Sequence, residues 1–188
     1  MGMPLESPRW TADLVRALPA DGRRYELVSG ELVVTPAPRG LHQVVLLALL
    51  RRLDAHLVAT VAGHILWSPA DISLGEDEVL QPDLFVYRTG TGRQLRDWSD
   101  ISGLLLVIEV TSPSTARYDR ALKRPRYQRA GVPEYWVVDA DARLVERWRP
   151  EDSRPEILTH VLAWQPIPGA TALDLDLPAL FTEACGEP

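Results

Sequence analysis

LLLVIEVTSPS, residues Leu104 to Ser114, sets five apolar residues ahead of a single carboxylate, Glu109, and ends in a turn. A short apolar run bounded by turn residues reads as a buried strand. Side chains alternate across a strand. Leu104, Leu106, Ile108 and Val110 therefore share one face, and Leu105, Val107 and Glu109 the other. Ser112-Pro113-Ser114-Thr115 supplies a turn and an N-cap for a helix reaching about Ala130, with Gly131 as its C-cap and Pro133 just beyond. Glu134 to Val138 is the next strand. Strand, helix and strand in this order make a βαβ unit with parallel strands and a right-handed crossover.

Outward from that unit the pattern is mixed. Thr11 to Ala17 reads as a short helix, and RYELVSGELVV, with Ser29-Gly30 at its centre, as a β-hairpin. Leu41 to about Ala59 lacks Gly and Pro and is rich in Leu, Ala and Arg, the strongest helix signal in the chain. It is apolar on nearly all sides through Leu50, which predicts deep burial. His64 to Leu74 and Val79 to Arg88 read as two strands around the acidic turn Gly75 to Glu78, and Gly90 to Gly103 as a polar loop carrying Trp98. Arg143 to Arg149 is a further strand, and Ile157 to Phe181 supplies edge strands and a packing segment. The expected fold class is α/β (α+β): a mixed β-sheet core with the Leu41 helix on one face and the Thr115 helix on the other. With no repeat and no linker, residues 1–188 are expected to form one domain, with loose ends at 1–8 and 183–188.

Composition narrows the function. Apolar residues make up 46% and charged residues 24%, ordinary for a soluble globular chain. The single cysteine, Cys185, allows no intrachain disulfide and no cysteine zinc cage, which fits a reducing cytoplasm. No secretory signal or membrane span is apparent, and a homodimer is the default assembly for a soluble protein. The net charge of −6 argues mildly against a polyanionic partner. Yet Arg117, Arg120, Lys123, Arg124, Arg126 and Arg129 crowd the helix after Glu109, against one acid, Asp119.

Glu109 stands among buried positions, where an unpaired carboxylate costs several kcal/mol. A basic partner such as Arg117 or Lys123, protonation, or a metal ion must offset it. Asp83 is placed comparably, following Pro82 at the start of an apolar strand. Two such carboxylates on adjacent strands repel unless a cation lies between them. Oxygen ligands with positions left for water and phosphate suit magnesium, while His42, His56, His64 and His160 form no zinc pattern.

Pro82-Asp83, the apolar string ending at Glu109-Val110-Thr111-Ser112-Pro113-Ser114-Thr115, then Asp119, Lys123, Tyr127, Gly131-Val132-Pro133-Glu134-Tyr135-Trp136 and Asp139 together resemble the Uma2 family. That family is assigned to the PD-(D/E)XK, restriction-endonuclease-like superfamily. Tyr25-Glu26-Leu27, Gly30-Glu31-Leu32, His42, Leu177-Pro178 and Leu180-Phe181 extend the likeness over nearly the whole chain. The resemblance implies a metal-dependent endonuclease with a nucleic-acid substrate, DNA in the first instance, and Mg²⁺ or Mn²⁺ as cofactor. It implies Asp83 and Glu109 as catalytic metal ligands, with the Val110 backbone carbonyl and Glu26 as further candidates. The signature lysine is expected two residues after Glu109, where Thr111 stands; Lys123 on the following helix takes that role by analogy. Pro125, inside the same helix, threatens this transfer, because an interior proline kinks a helix. Arg117, Arg120 and Arg124 are the expected nucleic-acid contacts. Glu26 is open between an ion pair and a ligand role, and His42 between a helix N-terminal hydrogen bond and a site role. Tyr127 reads as packing, with catalysis as the alternative. The rival functions are a non-cleaving nucleic-acid-binding module and a partner-binding protein that keep the nuclease fold.

Overall fold

The computed structural model describes residues 9–19, 21, 23–35, 37–75, 77–89 and 94–187. A six-stranded mixed sheet forms the centre, in the order β10 (Glu156–Leu158), β9 (Leu144–Trp148), β8 (Glu134–Asp139), β7 (Ile101–Thr111), β6 (Leu84–Thr89) and β3 (His64–Trp67). Only β7 and β8 pair in parallel, with Glu109 opposite Val137. This is the expected βαβ unit. Its crossover contains α3 (Ala116–Tyr118), a π-helical turn (Asp119–Lys123) and α4 (Arg124–Arg129).

A second sheet of four strands, β2 (Glu31–Thr35), β1 (Arg24–Val28), β5 (Glu78–Leu80) and β4 (Ile72–Gly75), covers part of one face. The β1–β2 hairpin turns through Ser29 and Gly30 at φ of 52° and 80°, a conformation glycine adopts without a Cβ clash. The two strands expected around the acidic turn are each divided. Pro69 and Pro82 cannot donate ladder hydrogen bonds, so β3 and β6 pair in the large sheet while β4 and β5 pair in the small one. The division leaves Asp83 in the bend between β5 and β6.

Two apolar cores flank the large sheet. On one face α2 (Gly40–Thr60) and α5 (Leu177–Cys185) pack Leu49, Leu53, Leu57 and Leu180 against Leu106, Ile108, Val110 and Trp136. Truncating a residue as enclosed as Leu53 to alanine costs about 2–5 kcal/mol. On the other face Tyr127 and Val132 join Val28, Ile72 and Leu80 of the small sheet against Phe85, Val107 and Tyr135. α1 (Ala12–Arg16) seals the outer side of the small sheet through Val15 on Leu27 and Val79. β11 (Val161–Trp164) and β12 (Leu173–Asp176) form a separate ribbon whose Leu162, Trp164 and Leu175 extend the first core.

Some expectations need correction. Strict alternation fails at Leu104 and Leu105: a bulge between Val86 and Tyr87 of β6 skips one residue of β7, so Leu105 packs in the α2 core and Leu104 in the other. From Leu106 onward the predicted faces hold. α2 is apolar on nearly all sides through Leu50 but buried on one side only, leaving Val44, Leu47 and, further on, Val58 exposed. The expected loose end at 183–188 is helical through Cys185, and Arg52 pairs with Glu183 at 2.5 Å. Residues 1–8, expected to be loose, lie outside the described residues. Among the described residues no helix is long and apolar enough to cross a membrane.

Candidate active site

β6 runs antiparallel to β7 with Leu84 opposite Ile108, which brings Asp83 and Glu109 out together at one end of the two strands. Asp83 is held from three sides. Its Oδ2 accepts the Val110 backbone N–H at 2.9 Å and faces His42 Nε2 at 2.8 Å, and Arg24 Nη1 donates to Oδ1 at 2.6 Å. The second guanidinium nitrogen of Arg24 donates to the Gln81 carbonyl. His42 reaches Asp83 from the first turn of α2, where no side chain caps the helix.

Glu109 faces the crossover helix. Lys123 Nζ stands 3.0 Å from Glu109 Oε1, 2.9 Å from Glu26 Oε1 and 4.0 Å from Asp119 Oδ1. Glu26 arrives from β1, on the strand face it shares with Val28, and its Oε1 also accepts the Gln81 N–H at 2.7 Å. All four of these side chains are buried, Lys123 and Glu109 to 2% exposure and Glu26 to none. Pro125 does not turn Lys123 away. The turn ahead of it is π-helical, the Arg124 N–H reaching back to the Asp119 carbonyl, and α4 then starts afresh with the proline in its first turn, where a missing N–H costs nothing. Single π-turns of this kind recur at functional sites.

The electrostatics follow from crowding. Glu26, Asp83, Glu109 and Asp119 face two permanent cations, Arg24 and Lys123. Burial pushes the Glu109 carboxyl well above the ordinary range; Lys123 opposes this, while the charges of Asp83, Asp119 and Glu26 add to it. Burial raises Asp119 as well. Burial would also raise Asp83, but the His42 hydrogen bond and the Arg24 charge outweigh it and hold that carboxyl well below the usual value. Desolvation works against the Lys123 ammonium, yet Glu109 and Glu26 keep it firmly protonated. The Glu26 Oε2 atom is buried with no hydrogen-bond partner.

A cavity of about 300 Å³ opens over this cluster, lined by Asp83, Glu109, Val110, Lys123, Arg24 and Arg39 among others. Among the described residues no three His, Cys, Asp or Glu side chains stand together as a ready-made metal cage. The donor set nevertheless suits a hard divalent ion that keeps several waters and takes one or two carboxylates. The surplus of buried negative charge and the orphaned Glu26 oxygen point the same way.

The other predicted residues lie elsewhere. Arg120 is bound to Glu146 at 2.7 Å and Asp139 at 3.3 Å. Arg124 donates to Gln128 and lies over the Trp148 ring at 4.3 Å. Neither these two nor the exposed Arg117 lines the cavity, so the structure does not bring the arginine run to the acids. Tyr127 is fully buried and stacks on Tyr135 with ring centres 5.1 Å apart, in keeping with packing. Arg24 and Arg39 were missed. Each stands beside a feature the sequence does show, Arg24 opening the hairpin strand and Arg39 preceding the long helix.

A family model, Uma2, described as "Putative restriction endonuclease", matches residues 12–178. Among solved structures, one titled as a "putative nuclease belonging to DUF820" from Anabaena variabilis superposes with a TM-score of 0.72 at 21% identity, covering 93% of this chain and 98% of that one. At that identity the likeness shows a shared fold and no more. No curated protein matches the chain.

Proposed function

The chain belongs to the Uma2 family, and from that premise we propose that it hydrolyses phosphodiester bonds of nucleic acid, DNA in the first instance, with Mg²⁺ or Mn²⁺ as cofactor. The observation that carries the proposal is the meeting of Asp83, Glu109 and Lys123 in one buried cluster beneath an open cavity. Asp83, Glu109 and the Val110 carbonyl would hold the ion, with Glu26 in reserve. Such an ion supplies Lewis acidity that offsets charge developing on the phosphate oxygens.

The protein's own residues supply the rest. The Val110 N–H and His42 fix the orientation of Asp83. Lys123 brings a permanent ammonium, held from two sides, to where a phosphate would gain negative charge. Arg39 at the cavity wall, whose exposed pair with Asp141 a phosphate can replace, offers a contact that positions a strand without reading its sequence. Local basic groups beside the acids matter more than the net charge of −6.

One observation favours a second reading, a protein that binds nucleic acid without cutting it. Both Asp83 oxygens already have partners and Glu109 is paired with Lys123, so the cluster is internally compensated. Incubation of the purified protein with plasmid and oligonucleotides, with Mg²⁺, with Mn²⁺ and with chelator, separates the two. Hydrolysis that needs the divalent ion and disappears in Asp83→Ala supports the nuclease. Binding without hydrolysis under every metal condition supports the second reading. Cutting that survives in Asp83→Ala removes Asp83 from the chemistry.

A further inference from the structure

A second cavity, of about 530 Å³, adjoins the first, and Arg24, Pro38, His42 and Asp83 form the wall between them. None of the acids other than Asp83 lines it. Its own lining combines apolar surface from Leu46 and Pro69, the amides of Gln43 and Gln81, and the charge of Arg23. The Gln81 amide is tethered, its Nε2 donating to Asp71 at 2.8 Å, and its Oε1 is buried without a partner. Gln43 is exposed on α2, and its side chain makes no hydrogen bond among the described residues. A cavity of this size with apolar walls and a few placed amides matches a small-molecule site.

We propose that this cavity is a nucleobase subsite and that the protein acts on unpaired strands. The inference rests on the nuclease reading for the identity of the substrate. A phosphate over Asp83 and Lys123 places the neighbouring nucleoside across the Arg24–His42 wall. The base then meets Leu46 and Pro69 with its faces and the exposed Gln43 amide with its edge, while Arg23 meets the following phosphate. A base in a duplex is held by its partner and its stacked neighbours, and extracting it costs a few kcal/mol. A single strand offers its bases at no such cost, and proteins that hold single strands do so through base contacts added to a basic groove. The depth of the acids agrees: Asp83 and Glu109 side chains are 5% and 2% exposed, within reach of a flexible strand more readily than of a rigid cylinder.

The test uses fluorescence anisotropy on the full chain with calcium in place of magnesium. The probes are a labelled oligothymidylate, the same strand in a matched duplex, and an abasic strand of equal length. The single strand should bind about tenfold more tightly than the duplex or the abasic strand, the scale of one base contact. Gln43→Trp fills the cavity from an exposed helix position, so folding is retained, as an unchanged thermal transition shows. It should weaken oligothymidylate about tenfold and leave the duplex unaffected. Equal binding of the three probes, or no response to Gln43→Trp, overturns the subsite. Cleavage with magnesium is scored separately: strand preference without cutting removes the nuclease reading and leaves the base subsite supported.

Discussion

Replacing Lys123 by methionine removes one buried ammonium while keeping chain length and apolar bulk. Three carboxylates lose it at once: Glu26 at 2.9 Å, Glu109 at 3.0 Å and Asp119 at 4.0 Å. Breaking a buried ion pair from one side leaves an uncompensated charge and costs about 3–5 kcal/mol. For a chain of 188 residues each kcal/mol moves the thermal midpoint by about 2–4 °C, so Lys123→Met should melt about 6–20 °C lower. The opposite substitution behaves differently. Glutamine at position 109 removes one of the three carboxylates around Lys123 and relieves its repulsion with Asp83, Asp119 and Glu26. Glu109→Gln should therefore lie within about 1 kcal/mol of the parent in chelator, or be more stable, although it removes the proposed ligand. Circular dichroism melts at neutral pH in chelator measure both. Added Mg²⁺ should raise the parent's midpoint by the linkage relation, about 2.7 kcal/mol at a hundredfold excess over Kd, and leave Glu109→Gln unmoved. A loss below about 1 kcal/mol in Lys123→Met, the scale of a surface pair, would refute the claim that this cluster is desolvated and mutually dependent.

Three further outcomes are expected. His42→Ala removes one of the two partners of Asp83 Oδ2, leaving the Val110 N–H, and should raise the magnesium concentration for half-maximal cleavage about 10–100-fold, the usual effect of losing a group that orients a ligand; an unchanged magnesium titration would leave His42 without that role. Arg23 and Arg39 sit in exposed pairs with Asp21 and Asp141 that a phosphate can replace, so Arg23→Ala or Arg39→Ala should each lower the salt slope of single-strand binding by about 0.7, whereas Arg120→Ala, whose half-buried guanidinium is committed to Glu146 and Asp139, should lower the thermal midpoint and keep the slope. Glu156 is held below the ordinary carboxylate value mainly by its hydrogen bond from Arg147, so its contribution is present above the unfolded value of about 4.5 and fades as pH falls through the lower folded value. Glu156 is exposed, so solvent screening limits the effect: Glu156→Gln should lose about 0.2–1 kcal/mol at pH 7 and less at pH 3 in urea titrations; an equal loss at both pH values would exclude the charge as the cause.

The parts of the structure that local chemistry dictates were legible in the sequence. Ser29-Gly30 specifies the hairpin, the Gly- and Pro-free run from Leu41 specifies α2, and the turn after Glu109 with Gly131 behind it frames the crossover. What escaped depends on partners distant in the chain. No pattern in β7 announces the bulge at Leu105, because the mismatch belongs to the pairing with β6. The helix α5 did leave a local signal, Asp176 capping the Ala179 N–H with Pro178 in the first turn, but its short apolar segment imitates a strand. Where the arginine run points was not legible, because basic residues on a helix look alike until their neighbours are known. Glu146, Asp139 and Trp148, on strands that follow the helix, claim Arg120 and Arg124.

Pro125 shows most directly how a local rule can be outvoted. An interior proline destabilises a regular α-helix by about 3 kcal/mol, through a lost hydrogen bond and a clash with the preceding turn. The widened turn at Asp119–Lys123 ends the first helical segment before the ring is reached, so the penalty is avoided and α4 begins with the proline in place. Widening also rotates the residues ahead of the proline relative to those after it. Lys123 and Asp119 enter the acid cluster while Tyr127 packs on Tyr135, side by side on one buried face. A lysine two residues after Glu109 would sit on the strand; here the ammonium comes from the helix and reaches the same carboxylate at 3.0 Å. The proline and the buried lysine are therefore linked: the residue that seemed to break the helix marks where its geometry changes to deliver the charge.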